Sequence, residues 1–258
     1  MARELRRLLL SPERLAAAAG TGAVALEQAE QHYLSRVLRL RPGDRFAVVD
    51  GAGHLWQASL DGGQAQLLQP IDGPWQSEPE PQTRLHLVVA LPRRDADVLL
   101  RMATELGIDG LQPLQAERSV AERWNRPRAL AIVREALEQC ERLWLPELQD
   151  PCGPEAVFGA ATGVRLLATT RGAAPQPLPA RLPPALGVSF EAVTVAIGPE
   201  GGWSPAEEAL AIERGWQPVS LGPAILRTST AAVTAAALLT SWRAGLSPSL
   251  RKGPKPSS

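Results

Sequence analysis

The sequence predicts an α/β protein in two parts: a small β-barrel domain with one helix over residues 1–73, and a larger domain on a mostly parallel sheet over residues 83–245. Three observations carry this. From Thr83 onward, short apolar strands alternate with helical stretches, the pattern of a parallel sheet flanked by helices. Val193–Ile197 is a continuous apolar run, as expected of a strand buried on both faces. Between the two parts, residues 74–82 hold three prolines and two glutamates with no apolar period, and read as a linker. Nine extended residues reach at most about 30 Å.

In the first part, Phe46–Gly51 is a strand running into a turn, and His54–Leu60 alternates apolar and polar residues. Asp50-Gly51 and Asp61-Gly62-Gly63 are hairpin punctuation. Glu27–Leu40 is the predicted helix, with Ala29, Tyr33, Leu34, Val37, Leu38 and Leu40 near helical spacing, ended by Arg41–Asp44. In the second part, strands are predicted over Arg84–Ala90, Leu111–Leu114, Val164–Ala168, Val193–Ile197 and Gln217–Leu221. Helices are predicted over Asp95–Gly107, Ala129–Trp144, Pro205–Arg214 and Thr230–Trp242, the last capped by Thr228 or Ser229. Ala173–Pro184 is a proline-rich surface loop, and residues 246–258 form a basic tail expected to be disordered.

The 258 residues are 45% hydrophobic and 21% charged, a globular composition. A chain of this length buries roughly 70–75% of its extended surface, so its core needs neither metal nor disulfides. No apolar run approaches the roughly 18 residues of a membrane span. Met1–Leu10 alternates arginine with leucine and does not read as a leader, so a cytoplasmic protein is expected. Cys140 and Cys152 are too few for a disulfide framework or a four-cysteine zinc site and read as small buried hydrophobes. Histidine occurs only at positions 32, 54 and 86, so chemistry in the last two thirds runs without it. The net charge of +0 hides basic ends. Residues 1–45 hold Arg3, Arg6, Arg7, Arg14, Arg36, Arg39, Arg41 and Arg45 against five acids, and no acid follows Gly215. Zero net charge therefore leaves room for a nucleic-acid face.

Ligands of open α/β sheets bind beyond the carboxyl ends of strands. Two such ends carry unusual sequence: Ala196–Trp203, with three glycines and a proline, and Ser220–Arg227, with a glycine turn and an arginine before a helix. Neither is a phosphate loop, because no Gly-Lys-Ser/Thr follows, and neither has the dinucleotide-binding glycine spacing.

Taken together and in order, Tyr33–Asp44, Glu105–Ile108, Glu117–Val120, Glu138–Cys140 with Arg142 and Pro146, Ile197–Trp203 and Leu221–Ala231 resemble the motifs of the RsmE family. These are SPOUT-superfamily methyltransferases acting on uridine N3 of small-subunit (16S) ribosomal RNA. The resemblance implies a SPOUT-type domain with a trefoil knot behind a PUA-like RNA-binding β-barrel. It also implies a homodimer, S-adenosyl-L-methionine as methyl donor, 16S rRNA in the small subunit as partner, and no metal. It places the donor pocket at Thr169, Thr170, Gly198, Pro199, Glu200, Gly201, Gly202, Leu221, Gly222, Ile225, Leu226, Arg227 and Thr230. Arg227 is the candidate for stabilising charge on the reacting base, with a phosphate clamp as its alternative role. Glu200 is either a base or a carboxylate that organises its loop. RNA is expected at Arg3, Arg6, Arg7, Arg36, Arg39 and Arg41, with Arg118 and Arg142 nearer the reaction. Glu105 and Glu138 read as structural. Two residues depart from the family pattern: Ser229 replaces a glutamate, and Met102 a lysine. A binding paralogue without activity, or a methyltransferase of another RNA, are the alternatives these departures leave open.

Overall fold

The computed structural model describes residues 5–120, 124–170, 175–184 and 190–246. The chain divides into two units, Met1–Glu80 with Arg134–Leu145, and Pro81–Val133 with Pro146–Ser258. Arg3 and residues 247–258 of the predicted tail lie outside the described residues.

The first unit is a mixed sheet. Its elements are β1 (Arg7–Leu9), α1 (Pro12–Ala17), β2 (Ala23–Ala25), α2 (Gln28–His32), β3 (Arg45–Val49), β4 (His54–Asp61), β5 (Gln64–Leu67) and β6 (Gln76–Ser77). The ladder runs β1-β3-β4-β5-β2, with β6 on β4. β1 and β3 are parallel, and the other pairs are antiparallel. Gly62 and Gly63, at φ +50 and +84, form the two-residue turn between β4 and β5, a conformation other residues adopt only under strain. Leu8 on β1 and Val24 on β2, at opposite ends of the ladder, share one core with Leu34, Phe46, Val48 and Trp56, so the sheet curls around it. Ala47 and Val49 face the other way and pack with Leu9, Leu55, Leu137 and Leu143. Burial on both faces is why β3 reads as unbroken apolar sequence.

Three details differ from the sequence reading here. The predicted 27–40 helix is α2 followed by a π turn over Tyr33–Val37, which rotates Val37 out to 60% exposure. The stretch read as a linker contributes β6, because its Gln76 and Ser77 complete hydrogen bonds along β4. Finally, the helix predicted to run to Trp144 ends at Cys140. Glu141 turns to φ +64, and Trp144 instead bridges to Ala52.

Glu138 is held in this first unit, where its Oε1 accepts the Leu9 N–H at 2.7 Å. Burial pushes its carboxyl up to about 7, against the lowering effect of that hydrogen bond. The unfolded chain releases this proton near 4.5, so native protein holds the proton more tightly between the two values. Stability should therefore fall as pH rises through that window, by at most about 3 kcal/mol. Glu138→Gln keeps an acceptor for Leu9 and removes the titration. Urea unfolding at pH 5 and pH 8 should show a smaller pH difference in the variant than in the native chain. An identical difference in both proteins would sink this account.

The second unit contains β7 (Arg84–Val89), α3 (Ala96–Leu106), β8 (Gly110–Pro113), α4 (Arg126–Cys140, whose latter half belongs to the first unit), β9 (Glu147–Leu148), α5 (Pro154–Ala160), β10 (Val164–Ala168), β11 (Gln176–Pro177), α6 (Leu178–Arg181), β12 (Ala192–Ile197), α7 (Pro205–Glu213), β13 (Gln217–Ser220) and α8 (Thr228–Leu246). The sheet order is β11-β13-β10-β12-β7-β8-β9, and every pair is parallel. β12 sits inside the sheet with all six residues buried, as its apolar run requires. Val88, Leu167 and Ala196 pack against Val157 and Phe158 of α5 and Ala211 of α7. α8 packs on β7, β12 and α3. Gly107, at φ +102, ends α3 as a left-handed cap.

The proline-rich 173–184 stretch is more ordered than a surface loop in its described part: β11 pairs with β13, and Leu178 is fully buried. α8 starts at Thr228, so Thr228 and Ser229 lie in its first turn rather than capping it. Cys140 and Cys152 are half-buried and form no disulfide. No described helix is long and apolar enough to cross a membrane.

Candidate functional site

The carboxyl ends of β10, β12 and β13 converge, and the segments leaving them enclose a pocket of about 110 Å³. Of the residues named from sequence, Thr169, Thr170, Gly198, Pro199, Glu200, Gly202, Leu221, Gly222, Ile225 and Leu226 line it. Gly201, Arg227 and Thr230 do not. Gly201 instead packs under Arg118, which donates to the carbonyls of Gly201 and Trp203 at 3.1 Å each. Arg227 is exposed at the approach to α8, between the lining residues Leu226 and Thr228.

The pocket walls are fixed by short-range chemistry. Trp203 donates Nε1–H to the Ala168 carbonyl at 2.9 Å, and Thr228 donates its hydroxyl to Gly198 at 3.1 Å. These bonds tie the ends of β10, β12 and α8 together. A Cβ on Gly198 would lie 2.9 Å from the Trp203 indole, so only glycine fits there without movement. Gly202 (φ +73) and Gly222 (φ +143) hold conformations that favour glycine, and their Cβ directions are open space.

Sequence reasoning missed Glu207, the carboxylate that organises this end of the sheet. It is buried, accepts the Ser204 N–H at 2.8 Å in a capping box, and accepts the Glu117 N–H at 2.7 Å. The spacing Ser204-Pro-Ala-Glu207 was a readable signal for the box. Its second bond, to a segment 90 residues away, was not readable. Glu208 was also missed; it lines the pocket and accepts the Thr169 hydroxyl at 3.1 Å.

Among the described residues, the lining includes two carboxylates, Glu200 and Glu208, and no arginine or lysine. Such a wall disfavours phosphate and favours a ligand that carries positive charge. Among the described residues no cluster of histidine, cysteine, aspartate or glutamate could hold a metal ion.

The basic residues named from sequence fall into two groups. Arg6, Arg36, Arg39 and Arg41 are exposed on the first unit. Arg7 is largely buried, with an ion pair to Glu141 at 3.3 Å, and Arg142 is half-buried and engaged. Glu105 pairs with Arg101 at 3.2 Å on the surface of α3. Ser229 and Met102 are both half-buried, on α8 and α3.

A parallel-sheet α/β unit with a glycine-walled pocket, in a chain that also carries a small mixed-sheet unit, defines a class of protein. A family model described as the RNA methyltransferase domain matches residues 78–240, and one described as the RNA methyltransferase PUA domain matches residues 26–68. The ribosomal RNA small subunit methyltransferase E of Synechocystis sp. is 40% identical over 253 residues, covering 90% of this chain and 76% of that protein. The protein of the same name from Mycobacterium bovis is 31% identical over 234 residues, 83% of this chain and 85% of that one. The structure of ribosomal RNA small subunit methyltransferase E from Neisseria gonorrhoeae, bound to S-adenosyl methionine, matches with a TM-score of 0.77 at 27% identity, over 93% of this chain and 98% of that one. The chain belongs to this family of RNA methyltransferases, that of ribosomal RNA small subunit methyltransferase E.

Proposed function

We propose that this protein transfers the methyl group of S-adenosyl-L-methionine to N3 of one uridine in 16S ribosomal RNA of the small subunit. The observation that carries the reading is the pocket at the ends of β10, β12 and β13, whose described walls are glycine turns and carboxylates. The donor carries a sulphonium and an α-ammonium group, so Glu200 and Glu208 suit it, and the open Cβ directions of Gly202 and Gly222 give it room. The related structure from Neisseria gonorrhoeae holds the same donor. When bound, the donor supplies an already activated methyl group, which leaves positioning as much of the catalysis.

The chain's residues have two further tasks. The uridine N3 must lose its proton, for which Glu200, exposed at the pocket, is placed as either the acceptor or an organiser of its loop. Negative charge then spreads onto the flanking carbonyl oxygens, and the Arg227 guanidinium, exposed beside the pocket, stabilises it. Arg227→Ala should lower turnover roughly a hundredfold or more while donor affinity stays within twofold, because Arg227 does not line the pocket. Unchanged turnover at saturating RNA and donor would remove Arg227 from the mechanism.

RNA is held through Arg6, Arg36, Arg39 and Arg41, which are exposed on the first unit, the last three close together in sequence inside the PUA domain match. The trefoil crossing, the homodimer and a cytoplasmic location belong to the same reading. The placement of β10 between β12 and β13, with segments 198–203 and 221–228 lining one pocket, supports the crossing. Ser229 and Met102 favour a second reading, an RNA-binding relative with weakened activity. A methyl-transfer assay on small subunits lacking the modification, followed by mass mapping of the RNA, separates the two. N3-methyluridine at one position supports the enzyme, and no transfer supports the binder.

A further inference from the structure

The 198–203 turn between β12 and α7 holds three glycines, Gly198, Gly201 and Gly202, and glycine loses more backbone freedom on ordering than any other residue. The turn lines the donor pocket through Gly198, Pro199, Glu200, Gly202 and Trp203. Gly201 does not line it and is covered by another segment instead. The stem of Arg118 lies against Gly201, its Cβ and Cδ 3.1 and 3.4 Å from where a side chain on that glycine would begin. Arg118 Nη1 then donates to the carbonyls of Gly201 and Trp203, at 3.1 Å each.

The segment that carries Arg118 is itself fixed. The Ala116 N–H donates to Ser119 Oγ at 3.0 Å, and the Ser119 N–H returns to the Ala116 carbonyl at 3.0 Å, closing residues 116–119 into a tight turn. Ala116 is buried in the same core cluster as Trp203. The Glu117 N–H donates to the buried Glu207 carboxylate in the first turn of α7 at 2.7 Å. Three hydrogen bonds therefore join residues 117 and 118 to residues 201, 203 and 207.

Resting on the donor-pocket reading above, we infer that Arg118 is a positioning residue for the methyl donor: its guanidinium clamps the 198–203 turn in the shape that receives the donor, and does not hold an RNA phosphate. The two carbonyls it takes stand on either side of Gly202, the residue of the turn at φ +73. A turn already held in its bound shape spares the ligand the cost of ordering it. The resemblance implied an RNA contact for Arg118; the side chain instead spends its bonds on the backbone of the donor turn.

The test uses the full chain with two variants. Arg118→Met keeps an apolar stem over Gly201 and removes the guanidinium, whereas Ser119→Ala keeps every cation and opens the 116–119 turn. Without ligand, amide hydrogen exchange read by mass spectrometry should be roughly tenfold faster across residues 198–203 in Arg118→Met. Calorimetric affinity for S-adenosyl-L-methionine should fall roughly fivefold or more in Arg118→Met, and about threefold in Ser119→Ala. The slope of log affinity against log salt for a 16S rRNA fragment should be unchanged in both, since a lost phosphate contact would reduce it by about 0.7–0.9. Donor affinity within twofold of native for Arg118→Met, or a reduced salt slope with donor affinity intact, overturns the inference. If Arg118→Met does not fold, Ser119→Ala decides by the same readings. Faster exchange at 198–203 in Arg118→Met, with no binding of S-adenosyl-L-methionine by the native chain, upholds the clamp on the turn and overturns the donor reading instead.

Discussion

Gly198→Ala is expected to weaken S-adenosyl-L-methionine binding at least tenfold, about 1.4 kcal/mol, with the fold retained. The added Cβ would fall 2.9 Å from the Trp203 indole, and two further ring atoms lie within 3.2 Å. That indole is poorly placed to yield: it is 7% exposed, bonded through Nε1 to the Ala168 carbonyl, and packed against Phe158 at 5.9 Å between centroids. The strain must therefore move either the 198–203 turn or the end of β10, and both are pocket walls. Overpacking of this kind costs about 1–3 kcal/mol, which a thermal melt will register as a modest shift. Calorimetric titration with the donor is the decisive measurement. An affinity within twofold of the native chain would mean that the donor binds elsewhere.

Arg243→Ala should destabilise the fold by about 3 kcal/mol. Arg243 lies on the last turn of α8 and donates to the Gly107 carbonyl at 2.7 Å and to the Thr83 carbonyl at 3.3 Å. It also pairs closely with the Asp109 carboxylate. Asp109 is 5% exposed, and its Oδ2 accepts the Leu85 N–H at 2.9 Å, so one carboxylate ties the start of β7 to α8. Removing the guanidinium takes a close cation from that buried charge, and breaking such pairs costs about 3–5 kcal/mol. Arg243 is itself 23% exposed, so the lower end of the range applies. A melting temperature lower by about 6–12 °C follows for a domain of this size. Arg243→Lys should recover only part of this, because a single ammonium cannot reach all three acceptors in the guanidinium's fork geometry. A drop of under 2 °C for Arg243→Ala would show that water replaces the pair at little cost.

Both effects act through residues that periodicity alone does not single out. Gly198 stood out in the sequence only as one glycine of a rich turn; the indole that forbids a side chain there is five residues away and held by β10. Arg243 read as one of the cations in an acid-free terminal stretch, and its partner lies 134 residues earlier. Glu207 shows the divide within one side chain. Its capping bond to Ser204 is local and followed from spacing, whereas its bond to Glu117 required the fold. The π turn after α2 likewise escaped the reading, because one extra residue in a turn leaves the apolar spacing nearly unchanged while moving Val37 from core to surface.

The amino-acid sequence by itself determined the order and kind of the main elements of the α/β unit, from β7 to α8, and the glycine turns that follow β12 and β13. These are properties of neighbouring residues: unbroken apolar runs where both strand faces are buried, helical spacing, and backbone conformations that glycine adopts most easily. Only the tertiary structure decided that β10 lies between β12 and β13, that the loop carrying Arg118 closes over Gly201, and that the segments leaving β10, β12 and β13 line one pocket. Strand adjacency and converging side chains arise from contacts between residues far apart in the chain, and their free energy leaves no periodic trace in the local sequence.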